Sequence, residues 1–328
     1  MEAVKKEAEE FEAAAPARVA ERLAKAVEAG DGGEDALQKA EWLGKVSEEP
    51  ADETGSGYVP DQNNLNDLPE ALRADRDFML AAAAKSTNGH AMHFASHALK
   101  ADGDFLRAAR QALADKHLAL PEEQREQEDY TTLHALNAAL ANGSTALIRA
   151  DYLVKLAEEG GVLGHRSQLP AEAIYEGPVW QYKKRGFHGV VIVALSYMWG
   201  GPDHPDPKGE QLRDVAKFLK WLQSAEGPVS YGNCTIAVFW DWASLYQDKP
   251  RGSRTDEQTA SFKAGLGNVN LWYCHTETIT LMNKKTPAGR EKGYGDSGWP
   301  TFEEAVSQFV KNRYVVLELE TVLNALDD

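Results

Sequence analysis

The chain has 328 residues, 43% of them apolar, and a formal net charge of −16. That size and apolar content allow two or three domains with substantial cores. The charge repels phosphate backbones and no stripe of Lys and Arg offsets it, so nucleic acid is not an expected partner. No apolar run is long enough to cross a membrane. The opening residues 1–7 have neither the apolar core of a secretory signal nor the Arg-rich character of a transit peptide, and a soluble, intracellular, cytoplasmic protein is expected.

Residues 1–57 read as a helical arm and linker. Val19, Leu23 and Val27 stand at helical spacing, Gly30-Asp31-Gly32-Gly33 breaks the pattern, and residues 51–57 have linker composition. Residues 58–120 contain an internal repeat, in which Ala71-Leu72-Arg73-Ala74-Asp75-Arg76-Asp77-Phe78 returns as Ala98-Leu99-Lys100-Ala101-Asp102-Gly103-Asp104-Phe105. Each repeated Asp is placed to cap a helix, and each Phe belongs to an apolar face that needs a neighbour. His90, His93 and His97 stand at i, i+3 and i+7, which suggests a metal-binding face, but no fourth ligand or acidic second shell is evident and packing, with His93 and His97 flanking a core-facing Phe94, is the better reading; no metal site is assigned. Residues 121–188 read as a helical connector, with Leu133, Leu136, Leu140, Leu147, Leu153 and Leu156 near helical spacing and a break at Asn142-Gly143. An all-α N-terminal half is therefore expected.

Residues 189–328 change character. Apolar runs alternate with amphipathic stretches, the pattern of a parallel α/β sheet with helices on both faces. The first strand is expected over 190–196, the second over 235–241, the third near 270–281 and the fourth over 314–319. A helix spans 210–223, with Leu212, Val215, Leu219 and Leu222 on one face, and another starts near Asp256. Cys234 and Cys274 lie in strand-like apolar runs and are expected as buried, reduced thiols. Ligands of such sheets bind beyond the carboxyl ends of the strands, which here carry Ser196-Tyr197-Met198-Trp199-Gly200 and Asp241.

This segment resembles the TIR and TIR-like HET (heterokaryon-incompatibility) superfamily over about 140 of the 328 residues. Leu195-Ser196-Tyr197 with Trp199-Gly200 resembles the opening strand-and-loop motif, and Phe239-Trp240-Asp241 with Leu245-Tyr246-Gln247 resembles the second-strand motif of HET proteins. Ser297-x-Trp299-x-x-x-Glu303 resembles the Ser-x-Trp-Cys-x-x-Glu motif that opens the third helix of many TIR domains. The resemblance implies a flavodoxin-like parallel sheet and a role in signalling or assembly. In members that cleave NAD, it makes Glu303 the catalytic residue and NAD the substrate, with no prosthetic group. Pro300 in place of Cys, a polar insertion of about fifteen residues over 283–297 and a Pro-rich loop after the first strand depart from the pattern. The repeat region resembles a short helical repeat of unknown function common in proteins of unicellular eukaryotes, and implies stacking without chemistry.

Cleavage of NAD needs a carboxylate near the ribose and aromatic walls that exclude water. Glu303 supplies the first in this reading; Tyr197, Trp199, Trp240 and Trp299 are candidates for the second. Ser196 and Asp241 belong to the same expected pocket, and Arg251 is placed to meet a phosphate oxygen. Each has a structural alternative. Pro300 suits a first helical turn, acids there are favoured by the helix dipole, and Thr301-x-x-Glu304 fits a capping box. Tryptophans commonly fill cores. A non-catalytic interaction or scaffold subunit, acting through protein partners or self-association, is the competing function. No Gly-x-Gly-x-x-Gly, P-loop, Gly-x-Ser-x-Gly or His-Glu-x-x-His motif is present, which disfavours hydride transfer, nucleotide hydrolysis by a P-loop, serine hydrolysis and zinc proteolysis.

Overall fold

The computed structural model describes residues 33–46, 65–86, 88–182, 188–224, 227, 231 and 234–327. The expected arm around Val19, Leu23 and Val27 and the linker over 51–57 lie outside the described residues. The chain divides into two compact units drawn from separate stretches: residues 1–126, 132–141 and 176–189 form the first, and 127–131, 142–175 and 190–328 the second.

Helices dominate the first unit: α1 (Gly33–Lys45), α2 (Glu70–Ala74), α3 (Arg76–Lys85), α4 (His97–Ala101), α5 (Gly103–Leu118) and α7 (Leu133–Ala141), with α6 (Glu122–Glu128) between the last two. The sequence repeat is a structural repeat. In each copy a five-residue helix ends at an extended Asp, whose side chain caps the following helix: Asp75 accepts from Phe78 N at 2.8 Å, and Asp102 accepts from Asp104 N at 2.9 Å and Phe105 N at 3.1 Å. The backbone at the two caps is nearly identical, φ −78° and ψ 111° against φ −85° and ψ 110°. Leu72, Phe78, Leu99 and Phe105 share one apolar core.

The three histidines do not share a helical face. His90–Phe94 is a 3-10 turn that ends at Ala95, and Ser96 then caps α4, which starts at His97. His90 is buried, while His93 packs edge-on against Phe94 at 5.0 Å and lies 4.8 Å from the His188 ring.

In the second unit, β1 (Leu147–Arg149), α8 (Ala150–Glu158) and β2 (Ile174–Tyr175) come first. Next in sequence, β3 (Gln181–Tyr182), which belongs to the first unit, pairs antiparallel with the opening of β4 (His188–Tyr197). Gly189 is required in that hairpin, because at φ 130° an added Cβ would lie 2.2 Å from the Trp180 carbonyl oxygen. Then follow α9 (Glu210–Gln223), β5 (Thr235–Phe239), α10 (Asp241–Ser244), α11 (Asp256–Gly267), α12 (Val269–Cys274), β6 (Thr278–Asn283), α13 (Gly298–Val310), β7 (Val316–Glu318) and α14 (Leu319–Asp327).

The resulting sheet has the order β2-β1-β5-β4-β6-β7. Strands β5, β4, β6 and β7 are parallel, with Val193 opposite both Val238 and Ile279, and β1 runs antiparallel to β5 and β2. Residues Gly189 to Tyr197 of β4 are all buried, as a continuous apolar run in a doubly covered strand requires. Helix α9 packs with α8 and α14, and α12 packs with α13. The chain leaves β4 for β5 on one side and crosses to β6 on the other, so the carboxyl ends of β4 and β6 flank a crevice.

Several expectations are corrected. The stretch read as a helical connector supplies strands β1 to β3, because strands of two or three residues leave little period-2 signal. The third strand begins at Thr278, and 269–274 is a helix whose Trp272 stacks on Phe239 at 5.2 Å; a short apolar run carries no period that separates the two states. The fourth strand is only 316–318, after a 3-10 turn over 313–315. Cys234 precedes β5 and Cys274 closes α12; both are half-buried, and neither is in a disulfide.

Replacing either repeated cap, Asp75→Ala or Asp102→Ala, should cost about 1 kcal/mol in urea unfolding, with Asn retaining most of it. Equal stability of wild type and both Ala variants would show that the caps are incidental. Burial pushes His90 and His93 down to about 4 and His134 to about 3. These rings stay neutral in the folded protein while the unfolded chain takes up protons near 6.5. Stability is therefore complete above about pH 6.5 and lost progressively as pH falls towards 4. Urea midpoints measured from pH 7.5 to 4.5 should fall, and less steeply in His90→Gln.

Candidate functional site

Strand β4 delivers Ser196 and Tyr197 to the crevice on opposite faces of the pleat. Ser196 is fully buried, and its Oγ lies 2.6 Å from Tyr294 Oη; Tyr294 in turn donates to the Pro300 carbonyl at 3.1 Å. The Glu303 carboxyl lies near the Ser196 and Tyr273 hydroxyls, both of which favour its ionised form. The Tyr273 hydroxyl donates to the Leu195 carbonyl at 3.0 Å. Helix α13, α12 and the loop before α13 thus converge on the end of β4.

A second carboxylate stands at the end of β5. Asp241 accepts from Tyr197 Oη at 2.6 Å, Trp199 Nε1 at 3.2 Å and the Trp242 amide at 2.6 Å. Burial raises Asp241, opposed by those donors. Burial also pushes the Glu303 carboxyl up to about 7, reinforced by the Asp241 charge and opposed by the Ser196 and Tyr273 hydroxyls. The two acids differ in their partners: Asp241 has three committed donors, whereas the hydroxyl protons of Tyr294 and Tyr273 already point at carbonyls. Ser196 has one proton to give. With few protons free to meet the carboxylate, burial prevails and favours the protonated form of Glu303.

The expected residues separate into two groups. Ser196, Tyr197, Trp199, Asp241 and Glu303 come together; Trp299 and Arg251 do not. Trp299 is 56% exposed at the start of α13, with its ring edge-on to Phe302, and Arg251 is exposed in the turn after Pro250. Of the remaining tryptophans, Trp240 and Trp242 are buried core, and Trp199 is half-buried with its ring edge-on to Trp242 at 5.5 Å. The capping box expected at Thr301 and Glu304 does not form. The helix starts at Gly298, so Thr301 lies inside it and bonds the Gly295 carbonyl at 3.2 Å, while Glu304 pairs with Lys284 at 2.7 Å.

Tyr273 and Tyr294 escaped the sequence reading. The first lies in the segment taken for a strand. The second had a usable signal: it is an aromatic residue between two glycines in an otherwise polar insertion. Beside the crevice, a cleft of about 100 Å³ is lined by Gly200, Pro205, Lys208, Gln211, Lys285 and Pro287 among others, and Glu303 is not part of its wall. No family model matches the chain, and neither the curated proteins nor the solved structures yield a match.

Because Glu303 holds its proton above the usual 4.5 of a glutamic acid, folding favours the protonated form. The stability this gives is present below about pH 4.5 and is lost as pH rises to 7. At pH 8 Glu303→Gln should therefore unfold at equal or higher urea than wild type, by about 1 kcal/mol after allowance for the partial exposure of the residue. A marked loss at pH 8 would mean that the ionised carboxylate is the stable form.

Proposed function

We propose that the second unit is a TIR/HET-like, flavodoxin-type domain acting in signalling or assembly, and that Glu303 gives it an NAD-cleaving activity. The observation that carries this reading is the placement of the Glu303 carboxyl beside Ser196 at the end of the central parallel strand. It joins two motif residues far apart in sequence at the place where α/β sheets bind ligands. In the proposed reaction the C1′–N bond of the nicotinamide riboside breaks and its electron pair leaves with nicotinamide. Ionised Glu303 holds a ribose hydroxyl and stabilises the positive charge on the sugar. Water then bonds to C1′ and gives up a proton, leaving ADP-ribose. Asp241, fixed by Tyr197 and Trp199, adds negative potential without moving.

A specific observation favours the second reading, an interaction subunit. Helix α13 exposes Trp299, Phe302, Phe309 (91% exposed) and Val310 on its outer side. Isolated exposed apolar residues are ordinary, but four on one helix mark a surface that proteins bury on binding.

Nicotinamide release from NAD by the concentrated full-length protein decides between them. Catalysis through Glu303 requires a rate that rises with pH through about 7, where the carboxyl ionises, and a loss of at least a hundredfold in Glu303→Gln. Glu304→Gln, which breaks only the pair with Lys284, should stay within about twofold of wild type. No release from wild type at any concentration would leave the interaction reading.

A further inference from the structure

The insertion that follows β6 runs over the carboxyl ends of the strands as a strap, residues 284–297. Nearly all of it is exposed or half-buried; Tyr294 alone is buried, at 5% exposure. Its ring enters a slot between Met198 and Met282, with Val316 alongside, and its hydroxyl reaches Ser196 and the Pro300 carbonyl. The ammonium of Lys284 lies 5.8 Å from the ring centroid. The other ties are ion pairs, Lys284 with Glu304 at 2.7 Å and Glu318 at 3.7 Å and Lys285 with Asp214 at 3.0 Å, and, at the end that enters α13, bonds from Thr301 Oγ1 to the Gly295 carbonyl at 3.2 Å and from Ser297 N to the Tyr294 carbonyl at 3.1 Å. Exposed ion pairs hold a segment weakly. Tyr294 is thus the strap's one buried anchor.

We propose that this slot is a binding site for a planar, uncharged ring bearing a hydroxyl or amide, that Tyr294 occupies it as an internal stand-in, and that the strap must withdraw Tyr294 to admit a ligand. The chemistry of the slot defines the ligand. Two thioethers grip a ring face or edge, a nearby ammonium favours a π system, and Ser196 with the Pro300 carbonyl accepts and donates at the rim. Ser196 bonds Tyr294 and lies near Glu303, so a ring in the slot has its polar group close to the Glu303 carboxyl. The proposal rests on reading Ser196 and Glu303 as a ligand site and not on NAD being the ligand.

The experiment compares wild type with Tyr294→Phe, which keeps the ring and removes both hydrogen bonds, using phenol as the ring probe. Phenol affinity, by ligand-observed NMR, should rise about tenfold in the variant, the value of two lost hydrogen bonds, and amide exchange across 285–296 should accelerate with it. Lys285→Met removes the pair with Asp214, loosens the strap without touching the slot and should shift both readouts the same way by a smaller factor. Equal phenol affinity in all three proteins, or no binding to any, with unchanged strap exchange, overturns the latch. A nicotinamide-release assay on the same proteins separates the two readings. Tighter phenol binding without NAD cleavage keeps the concealed site and removes the NAD reading. NAD cleavage that Tyr294→Phe does not accelerate keeps that reading and removes the latch.

Discussion

A single hydroxyl proton on Ser196 organises the site. Ser196 is completely buried at the end of a strand whose other exposed faces are all covered, so each of its hydrogen bonds must be made to protein. Its two polar neighbours, Tyr294 and Glu303, come from the strap and from α13. Tyr294 donates to the Pro300 carbonyl, so the Ser196 proton is offered both to Tyr294 and to the nearby Glu303 carboxylate. One proton serves two acceptors. Giving it to an ionised Glu303 takes it from Tyr294. The strap, the helix and the charge state of the acid are therefore linked through one side chain, in a setting where low polarity makes each unmade bond costly.

The fold was legible where burial is two-sided. The apolar run of β4, the helix that follows it and the parallel order of the central strands could be read because continuous hydrophobicity and helical spacing survive without any partner information. The repeat was legible to the level of its caps, since Asp75 and Asp102 act through bonds to amides two or three residues away. Short strands were not legible. Strand β1 has three residues, its Leu147 continues a leucine spacing begun in α7, and its assignment depends on Ile148 meeting Val238 from far along the chain. Trp272 and Tyr273 show the same limit, because tertiary contacts with Phe239 and Leu195 decide their conformation.

Of the candidate site, residues at strand ends could be placed from sequence because the position of a strand end depends mainly on the strand. Ser196, Tyr197, Trp199 and Asp241 fall in this class, and their mutual bonds follow from the sheet register. Glu303 required a motif, and its burial required the helix to begin at Gly298 so that the acid, not Trp299, turns inward. Trp299 and Arg251 were misplaced for a common reason: spacing along a chain fixes neither the rotation of a helix about its axis nor the direction of a turn.

That rotation gives α13 an inverted character, with apolar side chains outward and Glu303, Ser307 and Lys311 inward at i, i+4 and i+8. Ser307 bridges Thr280 Oγ1 at 2.9 Å and the Tyr273 carbonyl at 3.0 Å. Lys311, just past the helix, donates to Thr278 Oγ1 and Thr280 Oγ1, each at 2.8 Å, and to the Thr278 carbonyl at 3.1 Å. These partners are all uncharged, so burial prevails and pushes Lys311 down to about 7, where burial pushes Glu303 up to the same value. Below that pH the buried side of the helix carries a positive charge at its C-terminal end; above it, a negative charge in its first turns. Both arrangements agree with the helix dipole. The ionised lysine destabilises the fold as pH falls from 10.5 to 7, and the ionised glutamate does so as pH rises from 4.5 to 7. At neutral pH neither cost is avoided completely and neither is borne in full, so the helix carrying Glu303 can change its charge at the site without exposing its polar side to water.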